Sequence, residues 1–438
     1  MDFVLEDTVE TAIKNAQSME IDREFLTQSD LDVRVRSRVN ALPWRGQFTP
    51  DLAKTLLAAY TKAGDRVLDP FAGSGTTLSE SIGLGLSCVG TEINPAAIEL
   101  SRVFETAALP ADIRGAKIRN ATRVVHRLIA QTEHDAASLF SLLHEASDQD
   151  SSLLDQVLAA RKDASDPWLA NILAVSLMMA MGDGKVLAPD RLGRAFNQVS
   201  NLLTGLPGEP VPCEVYAADA RRLPVDSNSI DFVLTSPPYI NVFNYHQNYR
   251  PVVEALGYHV LSAAQREIGS NRKFRQNRFM TVIQYCQDMM LSLRELARVC
   301  KGGSKVVIVV GRESRVRKVP LPNGAIVGSL GELSGSLRLE RWQERQFTSR
   351  FGEKIFEEIL TFDVADTAPL DQGDAIKLAT DIGRSFLADA TGIEDVPSAI
   401  KAEIMAAIEA AWNIQPSLFE GEVSVNRKIK SGVSQGSS

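Results

Sequence analysis

The chain reads as an α/β protein built on a doubly wound, mostly parallel sheet, with an antiparallel closing hairpin and a helical insertion. Three observations predict this. Strand–turn–helix units begin at Arg66, a long stretch with helical spacing interrupts them after residue 104, and two late β-type segments lie close enough to pair. Residues 1–41 are polar and read as a helical N-terminal segment. Residues 49–63 read as a helix: Thr49 caps it, Pro50 suits its first turn, and Leu52, Leu56, Leu57 and Tyr60 share one face. Arg66–Asp69 is a short strand, followed by a Gly-rich turn, a helix from Thr76 to Gly83, and a second strand, Ser87–Glu92. Residues 105–205 form the insertion, with Ile172, Val175 and Met179 at helical spacing. Gly205–Pro212 carries three prolines and two glycines and marks its end. Strands resume at Glu214–Ala217, Ile230–Leu234 and Lys305–Val310, and 337–347 pairs with 355–364. The expected units are therefore 1–41, one α/β domain made of 42–104 and 206–366, the insertion 105–205, and a C-terminal helical segment and loose tail over 367–438.

Bulk properties exclude several classes. The chain has 438 residues, 44% hydrophobic and 23% charged, an ordinary globular composition. It shows no apolar run long enough to span a bilayer and no secretory leader pattern after Met1, so a cytoplasmic protein is expected. Cys88, Cys213, Cys286 and Cys300 are far apart, which argues against a disulfide framework or a zinc site, and no metal is expected. His126, His134 and His144 lack the spacing of a metal-binding helix face. The net charge is −8, yet residues 241–318 hold 14 Lys and Arg against 5 Asp and Glu, while 105–210 hold 10 against 13. An acidic protein with one basic stretch suits local contact with a polyanion.

Asp69-Pro70-Phe71-Ala72-Gly73-Ser74-Gly75-Thr76-Thr77 lies where a strand ends and a helix begins. Glycines there let the backbone approach a ligand, and the first turn of the helix offers unpaired N–H groups. Position 78 is Leu, so the third glycine of a dinucleotide fingerprint is missing. Glu92 ends the next strand, where a carboxylate can accept both ribose hydroxyls. The fourth strand runs into Thr235-Ser236-Pro237-Pro238-Tyr239. Ligands of open α/β sheets bind beyond the carboxyl ends of the strands, so this loop and the Gly-rich turn should share a crevice.

These residues resemble the S-adenosylmethionine-dependent amino-methyltransferases of DNA, of the N4-cytosine and N6-adenine type, which have the class I, Rossmann-like fold. The resemblance covers about 42–110 and 210–365. It extends to Ile240–Tyr245, to Arg266–Ser270 and to Arg345–Lys354, while the insertion between the second and third strands fits none of the usual layouts. It implies S-adenosylmethionine as cofactor, held by Asp69, Phe71, Gly73, Ser74, Gly75 and Thr76 of the turn, with Glu92 and Asn94 at the ribose. Asp219 and Ala220 would lie near the adenine amino group, beside Thr235. Phe48 and Thr49 resemble the segment packed by the methionine carboxylate, although a helix cap explains Thr49 equally well.

The loop chemistry follows from the substrate. An exocyclic amine of a base is a poor nucleophile because its lone pair is delocalised into the ring. Ser236 and the Pro237 carbonyl can accept its two N–H bonds and pull the nitrogen toward tetrahedral geometry. Pro237 and Pro238 stiffen the loop, and Tyr239 offers a ring on which a flipped base can stack. In the family a Ser in this loop goes mainly with cytosine N4 and an Asp mainly with adenine N6. Ser236 therefore implies cytosine, with adenine as the alternative. An RNA base methyltransferase and an inactive binding subunit are the rivals. Pro212-Cys213 mimics the nucleophile motif of cytosine-C5 enzymes but precedes the third strand, so Cys213 is read as a buried strand residue.

Double-stranded DNA is the expected partner. The densest basic run, with Arg266, Arg272, Lys273, Arg275 and Arg278, follows the catalytic loop and suits phosphate contact. A restriction or defence-system partner is a further expectation. Gln415-Pro416-Ser417-Leu418-Phe419 is similar to the peptide by which bacterial replication proteins bind the sliding clamp. Packing of Leu418 and Phe419 on the domain is the competing reading.

Overall fold

A computed structural model describes residues 2–419, apart from 34–39, 45, 48, 142–151, 183, 185, 241–244, 270–273 and 349–351. Nine strands occur among these residues: β1 (Arg66–Asp69), β2 (Ser87–Glu92), β3 (Cys213–Ala217), β4 (Ile230–Thr235), β5 (Cys300–Gly311), β6 (Glu313–Val316), β7 (Val319–Pro322), β8 (Leu337–Thr348) and β9 (Lys354–Val364). Seven form one sheet in the order β3-β2-β1-β4-β5-β9-β8, and β6 and β7 make a separate hairpin. The pairs β3–β2, β2–β1, β1–β4 and β4–β5 are parallel. β9 runs antiparallel to both β5 and β8. This is the expected doubly wound, mostly parallel sheet with an antiparallel closing pair. The order reverses at β1 and β4, and the crevice beyond their carboxyl ends is where ligands of such sheets bind.

Alternation along the strands sends side chains to two cores, as a sheet covered on both faces requires. Leu68, Val89, Val233, Val306, Ile308 and Val310 point to one core. There they meet the helices Met280–Val299, Asn323–Glu332 and Gln372–Thr391, and Val9, Ala12 and Ala16 of the N-terminal helix Asp2–Ser18. Val67, Cys88, Val215, Phe232, Leu234, Val307 and Val309 point to the other. That side is covered by the helices Pro50–Tyr60, Thr76–Gly83 and Pro95–Arg102 and by the insertion.

Local signals start these helices. Thr49, Asn94 and Asp166 each accept a backbone N–H as N-cap, and each is followed by proline at the first helical position. Ser152 and Asp155 form a reciprocal capping box before the helix Leu153–Asp163. The insertion helices Pro167–Met181 and Pro189–Thr204 bury Ile172, Leu173, Val175 and Phe196 in the second core. A buried polar cluster ties the insertion to the sheet. Glu99 accepts from Arg161 at 2.8 Å, from Asn171 Nδ2 at 2.6 Å and from the Tyr258 hydroxyl.

One helix goes against local propensity. Asn323–Glu332 holds three glycines, poor helix formers, yet it is almost wholly buried. A Cβ at Gly331 would stand 2.2 Å from the Phe362 ring, and one at Gly324 would stand 2.7 Å from Trp342. The glycines let the helix lie directly on β8 and β9, so packing overrides propensity.

Candidate active site

β1 delivers Asp69 to the base of the crevice, and its carboxylate is committed on both oxygens. Oδ1 accepts from Thr235 Oγ at 2.7 Å and from Phe71 N at 3.1 Å; Oδ2 accepts from Thr77 Oγ at 2.7 Å. Asp69 thus latches the Gly-rich turn to the end of β4. Burial pushes its carboxyl up to about 6, against the pull of these three donors. Thr235 is buried and serves the same latch.

The turn takes its shape from glycine. Gly73 and Gly75 have φ of +53° and +86°, a region that favours glycine. A Cβ at Gly75 would meet Phe104 at 2.8 Å, and one at Gly73 would meet Trp44 at 3.1 Å. Glu92, at the end of β2, grips the turn from the other side. Its Oε2 accepts from Gly73 N at 3.1 Å, and its Oε1 accepts from Ile93 N at 2.8 Å and Asn94 N at 3.0 Å. Burial pushes the Glu92 carboxyl up to about 7, with repulsion from Asp69 adding to it.

Between these groups lies an open cleft. Its wall includes Asp69, Phe71, Gly73, Ser74, Thr76, Glu92 and Asn94. Asp219 and Ala220 line its far end, and Ser236 and Pro238 line it from the loop after β4. The sequence thus names most of one cleft. Five of the expected residues do not line it: Thr235 in the latch, Tyr239 beside Ser236, and three more. Thr49 caps its helix by accepting from Leu52 N, Gly75 faces the neighbouring hollow beside Phe104, and Pro237 is buried. Phe48 lies outside the described residues.

Tyr239 stands behind Ser236. Its hydroxyl is 3.4 Å from Ser236 Oγ, its ring lies on Gly311, and its backbone carbonyl lies against Gly269. Burial and the nearby Glu357 carboxylate push the hydroxyl above its ordinary range, so it stays protonated. Arg345 is fully buried, with Nε 3.0 Å from Glu357 Oε2.

The cleft holds residues that sequence reasoning gave no separate role. The Trp44 and Tyr245 rings line it, nearly parallel at 12° with centroids 6.5 Å apart. Glu267 and Ile268 line it as well, beside Arg266. Arg266, expected at DNA, is thus part of the cleft wall. Glu267 takes His246 N at 2.6 Å and His246 Nδ1 at 2.8 Å, which fixes the segment after the loop. Arg275 is exposed and Arg278 half-buried, while Arg272 and Lys273 lie outside the described residues. At the far end Arg221 grips Asp219 with both Nε and Nη2, and no motif marks this contact. Cys213 is buried in β3, away from the loop.

The glycine turn, the Glu92 carboxylate and the Ser-Pro-Pro-Tyr loop thus lie around one cleft at the carboxyl ends of the parallel strands. The residues fit S-adenosylmethionine: a turn that side chains would fill, a carboxylate for ribose hydroxyls, and apolar walls from Phe71, Ile93, Ala220 and Ile268. Residues 24–103 match the family model for DNA methylase. A 53-residue stretch is 40% identical to the Type II methyltransferase M.MjaII of Methanocaldococcus jannaschii, covering 12% of this chain and 10% of that protein's length. Both matches are local: the family model spans 80 of the 438 residues, and the chain covers a tenth of that relative's length. Among solved structures, a SAM-dependent methyltransferase from Methanosarcina mazei aligns over 71% of this chain and 97% of its own, at 12% identity and a TM-score of 0.31. The rRNA methyltransferase aviRa from Streptomyces viridochromogenes aligns over 82% and 99%, at 13% identity and a TM-score of 0.31. Among the described residues no helix is long and apolar enough to cross a membrane.

Proposed function

We propose that this chain transfers a methyl group from S-adenosylmethionine to the exocyclic amine of a flipped base in double-stranded DNA, with cytosine N4 as the target. The observation that carries this reading is the convergence of Ser236 and Pro238 with Gly73 and Glu92 on one cleft. The cofactor supplies an electrophilic methyl on a sulfonium, and the rest of the work falls to the protein. Glu92 accepts the ribose hydroxyls and, through Gly73 N, fixes the turn against which the methionine end lies. Ser236 Oγ and the Pro237 carbonyl accept hydrogen bonds from the two amine N–H groups, so the nitrogen lone pair turns toward the methyl; the N–C bond forms as the S–C bond breaks, and the methylated amine then sheds one proton to solvent. The Tyr239 hydroxyl, 3.4 Å from Ser236 Oγ, steadies it from behind. Trp44 and Tyr245 keep the entrance apolar and exclude water. Adenine N6 is the alternative target; Ser236 rather than an acid in the loop favours cytosine.

The test is to incubate the chain with DNA and labelled cofactor, digest the DNA to nucleosides and separate them. N4-methylcytosine is expected. Methyl transfer to RNA alone, or none despite cofactor binding, removes the reading. Service in a restriction or defence system is part of the proposal. A sliding-clamp contact through Gln415–Phe419 would require that segment to leave a seat in which Ser417 is buried.

A further inference from the structure

Arg221 lies two residues beyond Asp219, and its side chain is wholly buried. Nε and Nη2 hold the two Asp219 oxygens at 2.8 and 2.7 Å, and Nη1 holds Asp288 Oδ1 at 2.6 Å. The same guanidinium reaches three backbone carbonyls, Arg266 O at 3.1 Å, Ser417 O at 3.1 Å and Leu418 O at 3.3 Å. The Phe419 ring covers it at 4.9 Å. Two of these partners belong to the cleft, since Asp219 and Arg266 both line it. The others belong to an extended segment near the C-terminus. Ser417 is fixed there a second time, by its N–H and Oγ to the two Asp288 oxygens at 2.8 and 2.6 Å. Gln287 Nε2 holds Ile414 O at 2.9 Å and Gln284 Nε2 holds Gln415 O at 2.8 Å, so the segment lies tied along the helix Met280–Val299.

We infer that residues 414–419 form a strap that sets the geometry of the cofactor cleft through Arg221, making Arg221 and Ser417 positioning residues for cofactor binding. The inference rests on the reading of the cleft as the S-adenosylmethionine site. Its physical basis is the geometry of one cation. A guanidinium presents five N–H donors in a fixed plane, so its partners cannot move independently. The strap carbonyls and Asp288 set the plane. The plane then sets the direction of the Asp219 carboxylate and the distance between Asp219 and the Arg266–Ile268 wall. A carboxylate has about four acceptor positions, and with the Arg221 backbone N–H also on Oδ1 at 3.0 Å, Asp219 has room for one more donor, such as an amino group at that end of the cleft. Binding of the cofactor and seating of the strap are then linked, and each must strengthen the other by the same factor.

The experiment uses the full chain and two readouts. The first is the S-adenosylmethionine Kd by calorimetry for the native chain and for Ser417→Ala, well below the melting temperature of either. Ser417→Ala should weaken cofactor binding about tenfold, with DNA affinity unchanged and KM for the cofactor raised more than kcat is lowered. The second needs no variant. Hydrogen exchange at the Ser417 amide, which faces Asp288, should slow when cofactor is added. An unchanged Kd in Ser417→Ala together with unchanged exchange on cofactor addition overturns the strap and leaves the methyltransferase reading standing. A native chain that binds no cofactor overturns the methyltransferase reading, and the strap with it.

Discussion

The two ends of the cleft are built in different ways. At the Gly73 and Glu92 end the Glu92 carboxylate is held by backbone N–H groups of the turns that follow β1 and β2. At the Asp219 end the geometry is held by one buried guanidinium whose partners Asp288 and Ser417 lie 67 and 196 residues along the chain. The first end is local and holds carboxyls shifted upward by burial. The second is assembled from distant segments and balances its charges in a buried network. Damage at the first should therefore show mainly in ligand binding, and damage at the second in stability as well.

The largest effect should come from breaking the distant network. Arg221→Met leaves Asp219 and Asp288 buried without their cation, which should cost about 3–5 kcal/mol in urea unfolding. A loss below about 1 kcal/mol would mean the network is not held as described. Next comes the catalytic loop that joins the two ends. Ser236→Ala should lower kcat by about 10²–10³ with cofactor Kd nearly unchanged, as for loss of one preorganised polar contact.

At the local end, Glu92→Gln should weaken cofactor binding about ten- to hundredfold, since a charged acceptor is lost. The pH dependence separates binding from stability there. Burial raises Asp69 to about 6 and Glu92 to about 7, above their ordinary 3.8 and 4.5. The folded chain thus holds these protons more tightly than the unfolded chain. The stability they contribute is complete below pH 3.8 to 4.5 and is lost as pH rises through 6 and 7. Cofactor affinity should run the other way, rising as Glu92 ionises. Thermal melts and cofactor titrations from pH 5 to 8 should move in opposite directions, and Glu92→Gln should flatten both (the melts only in part, since Asp69 remains). The smallest effect is expected outside the cleft. Arg275→Ala, at an exposed position, should reduce the salt slope of DNA binding by about one phosphate contact.

The same contrast decides what the sequence makes legible. Gly73, Glu92, Asp219 and Ser236 are recognisable because strand ends and turn chemistry bring them together in order, and the structure seats them in one cleft. The glycine-rich helix Asn323–Glu332 and the β6–β7 hairpin are not legible, because contact with β8 and β9 overrides weak local propensity in the helix and the Arg317-Lys318 turn lacks the usual Asn-Gly signal. Arg221 is visible two positions after Asp219, but its meaning depends on Asp288 and Ser417, and only the folded chain brings these together. Tyr245 likewise lacks a local signal; it becomes a cleft residue by facing Trp44.

The central claim is that this cleft methylates an exocyclic amine of DNA. Its most direct test is mass spectrometry of nucleosides from DNA treated with the native chain and with the Ser236→Ala/Tyr239→Ala double variant. The account predicts N4-methylcytosine from the native chain and none from the variant, with cofactor binding retained in both. C5-methylcytosine, or equal methylation by the variant, would contradict it.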